Sequence, residues 1–176
     1  FLISVRHENP SEMFLHIRMI CFAQPRMISR EVIDTDAADS GQKKDSVLLI
    51  GRERELAAIL KLLKQDGIRM LTLTGTAGIG KTLLAVAAAD IAAPQYVQVV
   101  FADLSPLKKA GQVLITIANS FGVRECNPDF LVTRLCTTIG LSKTLLILDN
   151  CEHVLHCKKD LDELMDGCPN LKILAT

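Results

Sequence analysis

Tryptophan is absent, tyrosine occurs once, and aromatic residues make up only 4% of the 176. Any core must therefore be built from aliphatic side chains. With 49% of residues hydrophobic, the chain has enough of them for one globular α/β domain rather than a disordered segment. Net charge is missing as well, because 20 Lys and Arg residues balance 20 Asp and Glu. No basic stripe runs along the chain, so this segment is not expected to contact nucleic acid or an anionic membrane directly.

A long hydrophobic run is also lacking. The most apolar N-terminal stretch, Met13 to Ala23, is about half the length that crosses a bilayer, and it carries His16 and Arg18. This argues against a membrane span. The six cysteines (Cys21, Cys126, Cys136, Cys151, Cys157 and Cys168) form no CxxC pair and follow no convincing secretion signal, which suits a reducing, cytoplasmic setting.

Residues 1 to 30 hold neither a helical nor an alternating period for long, and "DTDAADSGQKKDS", residues 34 to 46, reads as a linker. The first 46 residues are thus a tail, the end of another domain, or residues upstream of a natural start, for which Met27 is available. The chain opens on Phe1 and stops at Thr176 inside an apolar run, and it reads as a fragment at both ends.

From Val47 the pattern sharpens. A short apolar lead and Gly51 precede a helix with Leu56, Ile59, Leu60 and Leu63 on one face, ending near Gly67. A strand is predicted over Arg69 to Thr74, a helix over Lys81 to Ala92 closed by Pro94, and a strand over Tyr96 to Leu104. Helices follow over Pro106 to Phe121 and Pro128 to Ile139. A buried strand covers Thr144 to Asp149, a helix His153 to Met165, and a last strand Leu171 to Thr176. Strands alternating with helices predict a mostly parallel sheet covered on both faces.

Residues 75 to 82, Gly75 Thr76 Ala77 Gly78 Ile79 Gly80 Lys81 Thr82, fit GxxxxGKT, the phosphate-binding loop. A polyphosphate is wrapped by backbone N–H groups, so side chains must stay out of the way, and glycine permits that. The helix that follows aims its unpaired N–H groups and positive dipole end at the anion; Lys81 can reach the outer phosphates and the Thr82 hydroxyl can bind Mg²⁺. Such a match arises by chance in a chain of this length on the order of one time in a hundred, before a strand ahead and a helix behind are required. Both are predicted here.

A phosphate loop needs an acid near the metal, commonly at the end of a neighbouring buried strand. "TLLILDN" supplies Asp149. The next residue is Asn150, where many ATPases carry an acid as general base; since such a base contributes about 10²- to 10⁴-fold, an amide there predicts slow turnover unless Glu152 or an outside group substitutes. "CEHVLHC", residues 151 to 157, offers zinc-type ligand atoms at Cys151, His153, His156 and Cys157, with Cys168 nearby. On one helix these side chains would splay over different faces, so the stretch is read as a plain strand-to-helix junction.

The ordered set "LIGREREL", "LTLTGTAGIGKT", "LLILDNCEHVL" and "LKILAT" resembles the nucleotide-binding domain of STAND ATPases, the signal-transduction class that includes NB-ARC and AP-ATPase domains. Its "LDNCEHV" is similar to ATPases of bacterial LuxR-type and antibiotic-regulator-type transcription factors. The resemblance covers about residues 47 to 176. It implies a three-layer P-loop NTPase core with ASCE-type strand order, cut short at its C-terminal end, in which the strand Leu171 to Thr176 lies between the phosphate-loop strand and the Asp149 strand. It implies ATP or ADP with Mg²⁺ as ligands. Gly51 and Arg52 would pass near adenine, Gly75 to Gly80 would cradle phosphate, Lys81 and Thr82 would serve phosphate and metal, and Asp149 would be the Walker B acid. The family's arginine sensor, expected just after "LAT", and its helical and winged-helix domains are not in this sequence.

The function so implied is a slowly hydrolysing nucleotide switch within a transcriptional regulator, with DNA reached through a separate effector domain and self-assembly belonging to the intact protein. Two alternatives stay open. A P-loop kinase or phosphotransferase should have an acceptor site and an Arg-rich lid, whereas only Arg124 and Arg134 occur between Asp103 and Ser142. A nucleotide-binding module without hydrolysis is consistent with Asn150.

Overall fold

The computed structural model describes residues 2–7, 15–18, 51–107, 112–124, 130–151 and 158–176. In chain order the elements are β1 (Leu2–His7), β2 (Leu15–Arg18), α1 (Glu53–Leu63), β3 (Ile68–Thr74), α2 (Lys81–Ala92), β4 (Gln98–Asp103), α3 (Val113–Ser120), α4 (Leu131–Ile139), β5 (Thr144–Asp149), α5 (Lys158–Gly167) and β6 (Leu171–Ala175). They form a six-stranded sheet in the order β2-β1-β3-β6-β5-β4. The strands β3, β6, β5 and β4 pair in parallel, and β1 and β2 add an antiparallel edge. β6 lies between β3 and β5, the position that the family resemblance implies.

Period-two side-chain alternation along the central strands separates two cores. Leu145 and Ile147 of β5, Leu71 and Leu73 of β3 and Leu174 of β6 pack with Ile59 and Leu63 of α1 and Leu84 and Ala88 of α2. Leu146 and Leu148 of β5 and Ile173 and Ala175 of β6 face the other way, onto Ile117 of α3, Leu135 of α4 and Leu164 of α5. The result is the three-layer α/β arrangement, with β5 and β6 buried along their whole length.

Three expectations need correction. Residues 1 to 30 lack a sustained period, yet Leu2–His7 pairs antiparallel with β3 and sends Ile3 and Val5 into the α1/α2 core. A six-residue strand is specified by its partner edge rather than by its own periodicity. The helix predicted from Pro106 begins later: Ser105 N–H donates to Asp103 Oδ1 at 2.8 Å and Leu107 N–H to Leu104 O at 3.1 Å. This Asp-anchored turn competes with helix over Ser105–Leu107, and α3 starts at Val113. The buried face of α1 is also rotated. Glu55 and Leu62 are buried with Ile59 and Leu63, while Leu56 and Leu60 are only half-buried.

The boundary at residues 46 and 47, the linker 34 to 46, most of Met13 to Ala23, the helix start at His153, and Glu152, His153, His156 and Cys157 lie outside the described residues. Among the described residues, no helix is long and apolar enough to cross a membrane.

Candidate nucleotide site

The site forms where β3, β6 and β5 end, at the carboxyl edge of the parallel sheet, where open α/β sheets place their ligands. β3 ends at Thr74 and the chain turns through Gly75 to Gly80 before α2 starts at Lys81. Thr74 to Gly78 are solvent-exposed. Gly78 and Gly80 take φ values of 74° and 86°, in the left-handed region that favours glycine. A Cβ built at either position would meet nothing within 4 Å. It is backbone conformation, not crowding, that requires glycine here, and the open space is what close approach of an anion needs.

The helix α2 begins without a side-chain cap and without an acidic residue in its first turn. Its N-terminal amides and positive dipole end are therefore not neutralised from within, a favourable setting for phosphate. Lys81 lies over the loop, its Nζ donating to Gly75 O at 3.0 Å and Thr76 O at 3.2 Å. Ile79 N–H donates to Thr76 O at 3.4 Å across the turn that includes Ala77.

Asp149 shares the strand parity of Leu145 and Ile147, which face α2, so its carboxylate emerges on the α2 side of the sheet. There Thr82 Oγ1 donates to Asp149 Oδ1 at 2.7 Å. The two residues separated by 67 positions are thus brought together, and a hydroxyl beside a carboxylate is a suitable hard-oxygen donor set for Mg²⁺. Asp149 is itself buried.

Arg52 and Gly51 enter from the other side. Arg52 Nη2 donates to Ile79 O at 2.9 Å, tying the start of α1 to the glycine loop. Its Nη1 stands 3.9 Å from Glu55 Oε1, the acid that α1 buries beneath it. Gly51, at φ 81°, donates its N–H to Glu53 Oε1 at 2.9 Å, and this hydrogen bond holds the Glu53 carboxyl below its usual range.

One member of the cluster was not singled out from the sequence. Thr176 follows β6, one step past the Leu148–Ala175 pair, with its hydroxyl donating to Asp149 Oδ1. It has the strand parity of Leu174, on the α2 side. The signal for it was the placement of the last strand beside the Asp149 strand, which brings a polar residue at its end next to the acid. Asn150 adopts φ 59°, a left-handed conformation that asparagine tolerates, and its N–H donates to Thr176 Oγ1 at 3.3 Å. Cys151 turns inward, its thiol against Leu148 O at 3.3 Å, and burial pushes its pKa up to about 12. Among the described residues, no group of three or more His, Cys, Asp or Glu side chains could hold a metal ion.

The comparisons bear on the fold and the family. The chain is 39% identical over 109 residues to a Mycobacterium bovis protein named, provisionally, as an HTH-type transcriptional regulator; the match covers 61% of this chain and 12% of that protein. It is 33% identical over 129 residues to an uncharacterised Mycobacterium tuberculosis protein, covering 72% of this chain and 32% of the other. The chain therefore spans well under half the length of these curated relatives. Among solved structures, the Aeropyrum pernix ORC2 protein, described as ADPNP and ADP complexes, has a similar fold at TM-score 0.52 and 20% identity, over 77% of this chain and 43% of that one. Residues 64–174 match the family model described as AAA domain, and since that span takes in β3, the glycine loop, β5 and β6, the chain belongs to this family of P-loop ATPase domains.

Proposed function

We propose that this chain is an ATP- and ADP-binding module of a switch ATPase, with Mg²⁺ as the accompanying ion, and that the intact protein regulates transcription. The observation that carries the reading is the glycine loop joined to an uncapped helix, with Lys81, Thr82 and Asp149 at its end. In this reading the amides from Gly75 through Thr76, Ala77, Gly78, Ile79 and Gly80 surround the phosphates, and Lys81 exchanges two loop carbonyls for phosphate oxygens. Thr82 and Asp149 hold Mg²⁺, which when bound neutralises phosphate charge. Gly51 and Arg52 border the nucleoside end and brace the loop through Ile79 O.

Within P-loop ATPases we place the chain in the STAND, NB-ARC-like group, as the ordered motifs imply. The regulator named among its relatives supports a role in transcription. Asn150, an amide where a general base is common, supports slow hydrolysis, so that the bound nucleotide persists as a state. The same residue favours a second reading, a binding module that does not hydrolyse at all.

Equilibrium titration of the chain with fluorescent ADP and ATP, with Mg²⁺ present, tests the proposal. Saturable binding is expected, weakened on the order of 10- to 100-fold in Lys81→Ala, the equivalent of about 1.5–3 kcal/mol for a hydrogen bond to a charged group. Slow phosphate release that disappears in Lys81→Ala would exclude the non-hydrolysing reading. Absence of saturable binding would end the proposal.

A further inference from the structure

Two hydroxyls converge on one oxygen of Asp149, and they are held differently. Thr82 belongs to the first turn of α2, beside the residue that reaches for phosphate. Thr176 belongs to the sheet. Its own N–H donates to Leu148 O at 2.9 Å, and its main-chain oxygen accepts Cys151 N–H at 2.8 Å, so its backbone is held on both sides of the β5 end. Its Oγ1 accepts the Asn150 N–H at 3.3 Å. The hydroxyl's one proton is donated to Asp149 Oδ1.

The left-handed turn at Asn150 adds a second link between the two strand ends. At φ 59° the chain changes course immediately after the acid, and the next amide, Cys151 N–H, donates to Thr176 O at the end of the neighbouring strand. The acid, the amide after it and the hydroxyl on the adjacent strand then form a short relay that needs neither nucleotide nor metal to exist. A carboxylate with only Thr82 as partner would be free to rotate whenever that hydroxyl engages an ion. With Thr176 in place one oxygen stays anchored.

We propose that Thr176 is a positioning residue: its hydroxyl sets the orientation in which the Asp149 carboxylate meets Mg²⁺, and so tunes metal affinity while touching neither metal nor nucleotide. This rests on the nucleotide-binding reading above. Groups that orient a metal-binding side chain typically change metal affinity by about 10- to 100-fold when removed.

The test uses the whole 176-residue chain, fluorescent ADP, and a Mg²⁺ titration run beside an EDTA control. Thr176→Val keeps the branched shape and removes the hydroxyl, and Thr176→Ser keeps the hydroxyl and removes the methyl. For Thr176→Val, affinity in EDTA is expected to stay within about twofold of the original chain, while the half-saturating Mg²⁺ concentration rises about tenfold. Thr176→Ser is expected to restore the original Mg²⁺ curve. Should Thr176→Val fail to fold, Thr176→Ala carries the same comparison. The inference is overturned by a Thr176→Val curve that superimposes on the original, by equal weakening with and without Mg²⁺, or by failure of Thr176→Ser to restore the curve. Lack of ADP binding by the unsubstituted chain overturns both this inference and the reading beneath it, whereas the other results leave that reading intact.

Discussion

In the proposed reading, Lys81 and Asp149 are residues that can be picked out before any fold is known. A lysine after a glycine turn and an acid after an apolar strand are recognisable because their chemistry demands fixed neighbours in sequence. Thr176 and Glu55 are different, because their roles depend on residues far away in the chain. Thr176 has meaning only once β6 lies beside β5, and Glu55 only once α1 turns it under Arg52. The cysteines yield a prediction at the same scale. Burial pushes the thiols of Cys151 and Cys168 up to about 12, from an ordinary value of 9.0. Both therefore stay protonated at pH 8, and mass-resolved alkylation of the native chain should leave them unmodified until urea unfolds it. The sign for stability follows directly: the unfolded chain ionises first, so the contribution of these buried thiols is intact below about pH 9 and is lost as pH rises toward about 12. Rapid alkylation of Cys151 under native conditions would show that it is not held inside.

Among the elements, β5 and α2 were legible to the residue, because one is a continuous apolar run and the other is bounded by the glycine turn and Pro94. β1 was not legible, since its alternation spans too few residues and its stability comes from pairing with β3. The start of α3 was misplaced because the Asp103 side chain captures the backbone ahead of Pro106. Lys172 shows a further element-scale device. It sits in the buried strand β6, and its Nζ donates to Leu63 O at 2.8 Å and Gln65 O at 2.6 Å, capping the C-terminal end of α1. Arg69 does the same for α5, donating to Met165 O at 2.7 Å and Cys168 O at 2.6 Å. Cations at these negative dipole ends join the helices to the sheet at the edge opposite the glycine loop. Lys172→Met should therefore lower stability by about 2 kcal/mol, on the scale of hydrogen bonds made by a charged group. A reduced urea midpoint with an unchanged slope would register this. An unchanged midpoint would mean that water serves those carbonyls equally well.

At the scale of the whole molecule, the sheet organises everything else. Parallel strands bring the ends of β3, β6 and β5 to one edge, so that residues 75 to 82, 149 and 176 meet although they are scattered through the sequence. The two aliphatic cores pack on either face of the sheet and leave the glycine loop exposed. The central proposal is that this edge receives a nucleoside triphosphate, and a crystal structure of the chain with Mg²⁺ and a non-hydrolysable ATP analogue tests it most directly. The expected result is a triphosphate lying along Gly75 to Thr82, with Lys81 Nζ moved from Gly75 O and Thr76 O onto phosphate oxygens. Phosphates bound elsewhere on the molecule, with Lys81 still on its own loop carbonyls, would contradict it.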